Sequence, residues 1–210
     1  MVIFCKLWGI FMIKKDYSAG AVKFAFWFME FRQMIGLLNE GKSFKEIKEL
    51  NEKDNIFGIS TLARRKQMFS TVSARIKALG KSIYSVFVSC DLTNQKMICL
   101  AATMAHDTLF FEFVYEVIRN KIKTGENQYT DADLRVFFND KQIQSEKAAA
   151  WTEATLTRLG RTYKTQLFEA GFTDKGMKVR TITPPLLDLT FVDWLKDNDF
   201  KPILAAFNGD

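Results

Sequence analysis

The sequence is poor in the residues that build metal sites and membrane spans. It has three cysteines, Cys5, Cys90 and Cys99, and one histidine, His106, whereas a zinc site needs about four close ligands. We therefore predict no metal and no cofactor, and the odd, unpatterned cysteines favour a reducing cytoplasmic location. The longest run without a charged residue, 97–106, is about half of a membrane span, so no membrane partner is predicted.

Sequence motifs for catalysis are also missing. The chain has no glycine-rich nucleotide loop, Walker A motif, HExxH motif or paired-carboxylate signature. His106 precedes Asp107, but no nucleophile completes a catalytic group, so we interpret His106 as an ordinary surface or core side chain. The sequence predicts a protein that is not an enzyme.

Acidic residues are missing from one stretch, Asn55 to Cys90, which nevertheless carries six cations. Their summed charge equals the formal net charge of the whole chain, +6. A cationic field concentrated on one element attracts a polyanion such as nucleic acid.

Proline is scarce, and none of the three prolines precedes residue 184. Apolar residues recur every three or four positions, which is typical of amphipathic helices. We predict an all-α fold with at most one small β-hairpin at residues 172–183, where Asp174, Lys175 and Gly176 form a candidate turn. Residues 82–90 fit either a helix or a buried strand.

The predicted helices begin at cap residues and end at glycines. Ser43 and Glu46 form a capping box, Ser60 or Thr61 caps the next helix, and Thr130 and Thr152 begin two more. The predicted helices span residues 18–40, 43–53, 60–79, 95–123 (one helix or two), a short segment from 130, 152–170, 186–196 and about 200–207.

The chain divides at the polar segment near 124–130. We predict an N-terminal extension (1–16), an N-terminal helical domain with a helix-turn-helix (17–125) and a winged-helix-like C-terminal domain (126–210). Met12 is a candidate natural start, which predicts that residues 1–11 are not native.

Residues 43–53 and 60–79 have the spacing of a helix-turn-helix, with the second helix reading DNA. A helical wheel places Gln67, Thr71, Ala74 and Ala78 opposite the apolar face, with cations on both shoulders. Arg65 falls on the apolar side and agrees least with this arrangement. The candidate DNA contacts are Arg64, Arg65, Lys66, Gln67, Thr71, Arg75 and Lys77.

Residues 152–170 form a second candidate DNA-reading helix. No acid occurs from Ala154 to Phe168, and a basic hairpin follows, which is the layout of a winged helix. Its candidate contacts are Arg158, Arg161, Lys164, Thr165, Lys178 and Arg180. A basic helical face is also typical of plain solvated surface.

Several ordered segments resemble one family. They are Ser18-Ala19-Gly20, Glu30-Phe31-Arg32, GKSFKEIKEL at 41–50, Asn55-Ile56-Phe57 before Ser60 and Ala63-Arg64-Arg65, WTEATLTRLG at 151–160 and EAGF at 169–172. From about Tyr17 onward the chain resembles BrxA, an accessory protein of BREX bacteriophage-defence systems. The resemblance implies a non-enzymatic, largely α-helical DNA-binding protein with helix-turn-helix-like parts. Residues 1–11 have no counterpart in it.

The main hypothesis is therefore a weakly sequence-selective, double-stranded DNA-binding protein of a BREX system, with other BREX proteins as further partners. An alternative is a protein-interaction adaptor whose basic face docks an acidic partner. RNA binding is a third hypothesis, although no RRM or KH signature is present. The oligomeric state is left open.

Overall fold

The structure is a computed structural model that describes residues 16–210. The predictions for residues 1–11 therefore lie outside the described residues. Within residues 16–210 the chain is mostly helical and has one small antiparallel sheet. The predicted all-α fold class is confirmed.

The helices follow one another with short connections. They are α1 (Phe28–Asn39), α2 (Phe44–Asp54), α3 (Leu62–Leu79), α4 (Ile83–Ser89), α5 (Leu92–His106), α6 (Thr108–Phe113), α7 (Arg119–Lys123), α8 (Asp131–Gln144), α9 (Glu146–Ala149), α10 (Glu153–Ala170), α11 (Leu189–Asp197) and α12 (Lys201–Asn208). A 3-10 turn at Ala19–Lys23 precedes α1, and a π-helical turn at Val114–Ile118 joins α6 to α7. Residues 82–90, for which helix and strand were both open, contain a helix.

Polar side chains fix where several helices begin. Ser43 and Glu46 form the predicted capping box of α2, and Thr130 forms a second one with Asp133 at α8. Thr61, one of the two predicted alternatives, caps α3 by accepting a hydrogen bond from the backbone of Arg64. These local signals are readable in sequence because the capping partners are three residues apart.

The helix predicted at residues 18–40 is wrong in its first third. After the 3-10 turn the chain is extended, and Trp27 adopts a left-handed conformation (φ 51°) before α1 begins at Phe28. The cause lies on α3, where Arg75 Nη1 donates hydrogen bonds to the carbonyls of Ala25 (3.1 Å) and Phe26 (2.9 Å). The guanidinium thus supplies donors for two carbonyls that lie outside α1 and have no helical partner.

The long apolar stretch at 95–123 forms two helical parts, one of the two predicted alternatives. They meet at Asp107, where the axes bend by 114° and Asp107 Oδ1 accepts a hydrogen bond from the backbone N–H of Phe110 (3.1 Å). Among residues 16–210 no single helix meets the length and apolarity of a membrane span, whereas this bent pair meets them only when its halves are taken together.

An aromatic cluster joins α6, α8 and α10. Tyr163 lies 4.9 Å from Phe110, 5.7 Å from Phe113 and 5.8 Å from Phe138, measured between ring centroids. All four side chains are almost fully buried. The buried core thus runs continuously across the polar segment near 124–130, and the domain boundary there stays a prediction.

The sheet joins two segments that are far apart in sequence. Strand β1 (Gln128–Thr130) pairs antiparallel with β2 (Val179–Thr181), with Tyr129 opposite Arg180. A single bridge between Thr173 and Ile182 closes the loop of residues 174–178, the predicted hairpin turn. The order is therefore strand, α8, α9, α10, bridge, loop and strand.

Replacing Arg75 with Met should lower the free energy of unfolding by about 2 to 3 kcal/mol. The methionine keeps most of the packing but removes the Arg75 donor from both carbonyls, so that Phe26 retains only the weak bond from Cys99 Sγ (3.9 Å). Chemical denaturation followed by circular dichroism measures the loss. Arg32→Met, the same change at an exposed position of α1, should stay within about 0.5 kcal/mol of the parent. Equal stability of the two variants would contradict this role of Arg75.

Candidate nucleic-acid interface

The first predicted surface, on α3, is rotated relative to the helical-wheel prediction. Thr71 and Arg75, predicted as contacts, are buried at 5% and 2% exposure, and this corrects their predicted accessibility. The exposed ridge carries Lys66, Ser70 and Lys77 instead. The reason is packing on several sides, because α3 lies against α1, α2, α5 and the 24–27 segment.

Two more of the predicted α3 contacts hold the protein together. Arg65 Nε donates to the carbonyl of Ile59 (3.0 Å), and its Nη1 donates to the carbonyl of Glu52 (3.2 Å). These bonds span the turn between α2 and α3, which explains why Arg65 lies on the apolar side. Gln67 Nε2 donates to the carbonyl of Lys23 (3.2 Å).

Three cations on α3 are exposed: Arg64, Lys66 and Lys77. Arg64 lies 4.9 Å from the Trp27 ring and Lys77 lies 4.6 Å from the Phe44 ring. Such cation–π contacts fix the side chains while leaving their charged ends at the surface.

An acid on the neighbouring helix α2, Glu52, partly neutralises the positive charge of α3. Lys66 Nζ and Lys48 Nζ each lie 3.9 Å from a carboxylate oxygen of Glu52. These residues line a groove of about 380 Å³ between α2 and α3. Residues 55–90 contain no acid in the sequence, but in the structure Glu52 of α2 lies next to them. The positive electrostatic field of this surface is therefore weaker than the sequence predicts.

The second predicted surface, on α10, is exposed as the sequence predicts. Arg158, Arg161 and Thr165 face solvent together with Ala154. Thr165 Oγ1 donates back to the carbonyl of Arg161 (2.9 Å). On the opposite side Leu156, Leu159, Tyr163 and Leu167 are buried. A helix anchored on one side only leaves a clear outward ridge for a ligand.

Asp131, which the sequence did not single out, joins this helix to the sheet. Its Oδ1 accepts hydrogen bonds from Lys164 Nζ (2.9 Å) and Arg180 Nη1 (3.0 Å). Partial burial raises the pKa of Asp131, but the bonds and charges of Lys164 and Arg180 outweigh it and lower the pKa below its usual value. Arg180 is 7% exposed, which corrects its predicted accessibility, and Lys164 is half-buried.

The loop of residues 174–178 projects beside α10. Asp174 Oδ1 accepts backbone hydrogen bonds from Gly176 and Thr181, each at 3.0 Å. Lys175 Nζ lies 5.8 Å from the Phe168 ring of α10. Lys175, Met177 and Lys178 are exposed. Lys175 and Met177 were not among the predicted contacts, although the Asp-Lys-Gly turn placed them at a loop tip.

His106 and Asp107 line a cavity of about 230 Å³. Arg75 of α3 and Gln166 of α10 line the same cavity. The carbonyl oxygen of the Gln166 side chain is buried without a hydrogen-bond partner. Among the described residues, no group of three or more His, Cys, Asp or Glu side chains could hold a metal ion.

The fold belongs to the class of all-α proteins that carry one small two-stranded sheet. A crystal structure of an uncharacterized protein from Magnetospirillum magneticum shares it, with a TM-score of 0.77 over 93% of this chain and 100% of that chain, at 18% identity. That likeness concerns the fold alone.

Sequence similarity identifies the family. The family model BrxA matches residues 15–199. A protein named BREX protein BrxA, from Bacillus cereus (strain H3081.97), is 37% identical over 182 residues, which cover 85% of this chain and 91% of that protein. The chain therefore belongs to the BrxA family.

Replacing Asp131 with Asn should lower the free energy of unfolding by about 1 to 2 kcal/mol at neutral pH, because Arg180 stays buried without its carboxylate. The pKa of Asp131 is lower in the folded than in the unfolded chain, so its contribution is present above pH ~4 and lost as the pH falls further. The deficit of the variant should therefore shrink in acid. Chemical denaturation at several pH values measures it.

Asp193→Asn is the matched control, since Asp193 is exposed on α11 and should change stability by less than about 0.5 kcal/mol. Trypsin cleavage after Lys175 and Lys178 should accelerate in the Asp131 variant alone. A deficit that does not depend on pH would refute the ion-pair explanation.

Proposed function

We propose that this BrxA-family member binds double-stranded DNA, without catalysing a reaction on it, as part of a BREX-type phage-defence system. The observation that carries the proposal is the joint face of α10 and the 174–178 loop. There Arg158, Arg161, Lys175 and Lys178 are exposed around the short side chains of Ala154 and Thr165.

The order of elements around α10 supports a winged-helix assignment. The chain runs from β1 through α8, the single-turn α9 and α10 to the Thr173–Ile182 bridge and β2. Apart from α9, this is the order of strands and helices in a winged helix. In that arrangement α10 is the recognition helix and the 174–178 loop is the wing. The proposal therefore places α10 in the major groove and the loop beside it.

The exposed side chains of α10 suit DNA recognition with only a few contacts to base edges. Arg158 and Arg161 can donate to guanine edges, and Ala154 and Thr165 allow close approach and contact with thymine methyl groups. Lys175 and Lys178 suit phosphates, which position the protein but carry no sequence information. Weak sequence selectivity and a strong dependence on salt follow.

The α2–α3 unit is proposed as a second, weaker contact with DNA. The proposal treats α2, residues 55–61 and α3 as a helix-turn-helix, and Arg64, Lys66 and Lys77 are exposed on α3. Arg65, Gln67, Thr71 and Arg75 are engaged inside the protein, so they support the shape of this unit rather than contact DNA.

The second candidate function is a protein-interaction adaptor, which the mixed charge of α2 favours. Lys48 and Lys66 alternate with Glu52 along the α2–α3 groove. Alternating charges suit a protein surface of complementary pattern better than a uniformly negative polymer. Another BREX protein with an acidic patch is the proposed partner.

The test compares three triple variants that remove the same charge. The first variant changes three cations of the joint face of α10 and the 174–178 loop to Ala, namely Arg158, Arg161 and Lys178. The second changes three cations of α3 to Ala, namely Arg64, Lys66 and Lys77. The control changes three lysines that are exposed on other helices, namely Lys123, Lys196 and Lys201. The first should weaken duplex binding at least about thirtyfold and make the salt dependence shallower by about 2 to 3 counterions.

The second triple variant should weaken binding less than the first, and the control should stay within about threefold of the parent, a loss of below 1 kcal/mol. Gel shifts with duplex DNA, single-stranded DNA and RNA over a salt series measure the affinities, and circular dichroism verifies folding. If the control loses as much as the first variant, the binding is general charge attraction. If the parent binds no duplex but captures a BREX protein, the adaptor function is favoured.

A further inference from the structure

Met177 presents an apolar side chain to solvent at the tip of the 174–178 loop, where it is 89% exposed. Single exposed apolar residues are common on protein surfaces, so exposure alone assigns no role. The neighbours of Met177 distinguish it, because Lys175 and Lys178 flank it and are exposed as well.

Hydrogen bonds restrain the backbone of the loop around Met177. Arg180 Nη2 donates a hydrogen bond to the carbonyl of Met177 (2.9 Å), and Asp174 Oδ1 accepts one from the backbone of Gly176 (3.0 Å). A Cβ atom on Gly176 would lie 1.8 Å from the carbonyl oxygen of Val179, so this tight loop requires glycine there. The backbone is thus tied on both sides of Met177 before any ligand binds.

The direction of the loop is fixed relative to α10. Arg180 reaches from the sheet to Asp131, which also holds Lys164 of α10. Lys175 lies against Phe168, which is 40% exposed on the same helix. The tip therefore stands beside the outward ridge of α10 and not on the far side of the domain.

We propose that Met177 is a wedge that enters the minor groove of the duplex bound by α10, partly unstacks one base step and bends the DNA. This inference rests on the proposed function and adds a deformation of the DNA to it. Apolar side chains, methionine among them, act in this way in architectural proteins. The unbranched thioether of methionine fits a groove about 6 Å wide, which excludes a helix.

The charges around the tip fit this placement. Lys175 and Lys178 can reach the phosphates on the two sides of the groove, and a narrow minor groove attracts cations. Asp174 is exposed at the base of the same loop, and its Oδ1 accepts hydrogen bonds from the backbone of Gly176 and Thr181. Flexible pyrimidine–purine steps, which unstack most easily, are the preferred sites.

The experiment uses the full chain and a duplex of about three helical turns. The duplex carries TA steps, 2-aminopurine beside them and a fluorescence energy-transfer pair at its ends. The parent should bend this duplex and raise the 2-aminopurine fluorescence. Met177→Ala should lose most of both signals while its affinity falls by no more than about tenfold, because the phosphate contacts remain. Met177→Leu should retain both signals.

Ile143→Ala is the matched control, since Ile143 is 85% exposed on α8 and the change should leave bending and affinity unaltered. Bending by the Met177→Ala variant equal to that of the parent would overturn the wedge. A parent that binds the duplex without bending it would overturn the wedge and leave the proposed function intact. A parent that binds no duplex at any salt concentration would overturn both.

Discussion

The carboxylate of Asp131 is the constraint on which the geometry of the candidate interface depends. It is the first residue of α8, and one of its oxygens accepts from Lys164 on α10 and from Arg180 on β2. The carboxylate therefore adds a polar tie between three elements that also meet through apolar packing and through the backbone pairing of β1 with β2. Apolar contact is not directional, whereas charge-assisted hydrogen bonds fix distances and angles. Together with the Thr173–Ile182 bridge and the contact of Lys175 with Phe168, this acceptor positions the 174–178 loop relative to α10.

Buried arginines show why a count of charges overstates the field around the protein. Arg75 donates hydrogen bonds to two carbonyls of the 24–27 segment. Among residues 16–210 it forms no ion pair with a carboxylate. Burial accordingly lowers its pKa, although the negative charge of Asp107 acts the other way. A cation held in this way is costly to bury, and its two hydrogen bonds fix the carbonyls of the 24–27 segment.

The sequence was sufficient for features that depend on neighbouring residues or on a single buried face. The capping box at Ser43 and the exposed ridge of α10 follow from spacings of three and four residues. The orientation of α3 does not follow from such spacings, because the residues packed over Arg75 include Ala25 and Phe26, about fifty positions away. Likewise the Asp-Lys-Gly turn is local, but the strand paired with β2 comes from residues 128–130. Partners distant in sequence leave no periodic signal, so a helical wheel cannot find them.

Few exposed cations remain on the face of α10, and this limits how DNA could be held. With three to five phosphate contacts, the electrostatic attraction is largely lost at physiological salt, because each contact releases about one counterion. Most of the remaining affinity must come from shape, that is, from a helix and a loop that need no reordering on binding. The hydrogen bonds of Asp131, Asp174 and Arg180 supply that rigidity in the free protein. Rigidity of the loop is therefore as much a part of the proposed interface as the charge of its lysines.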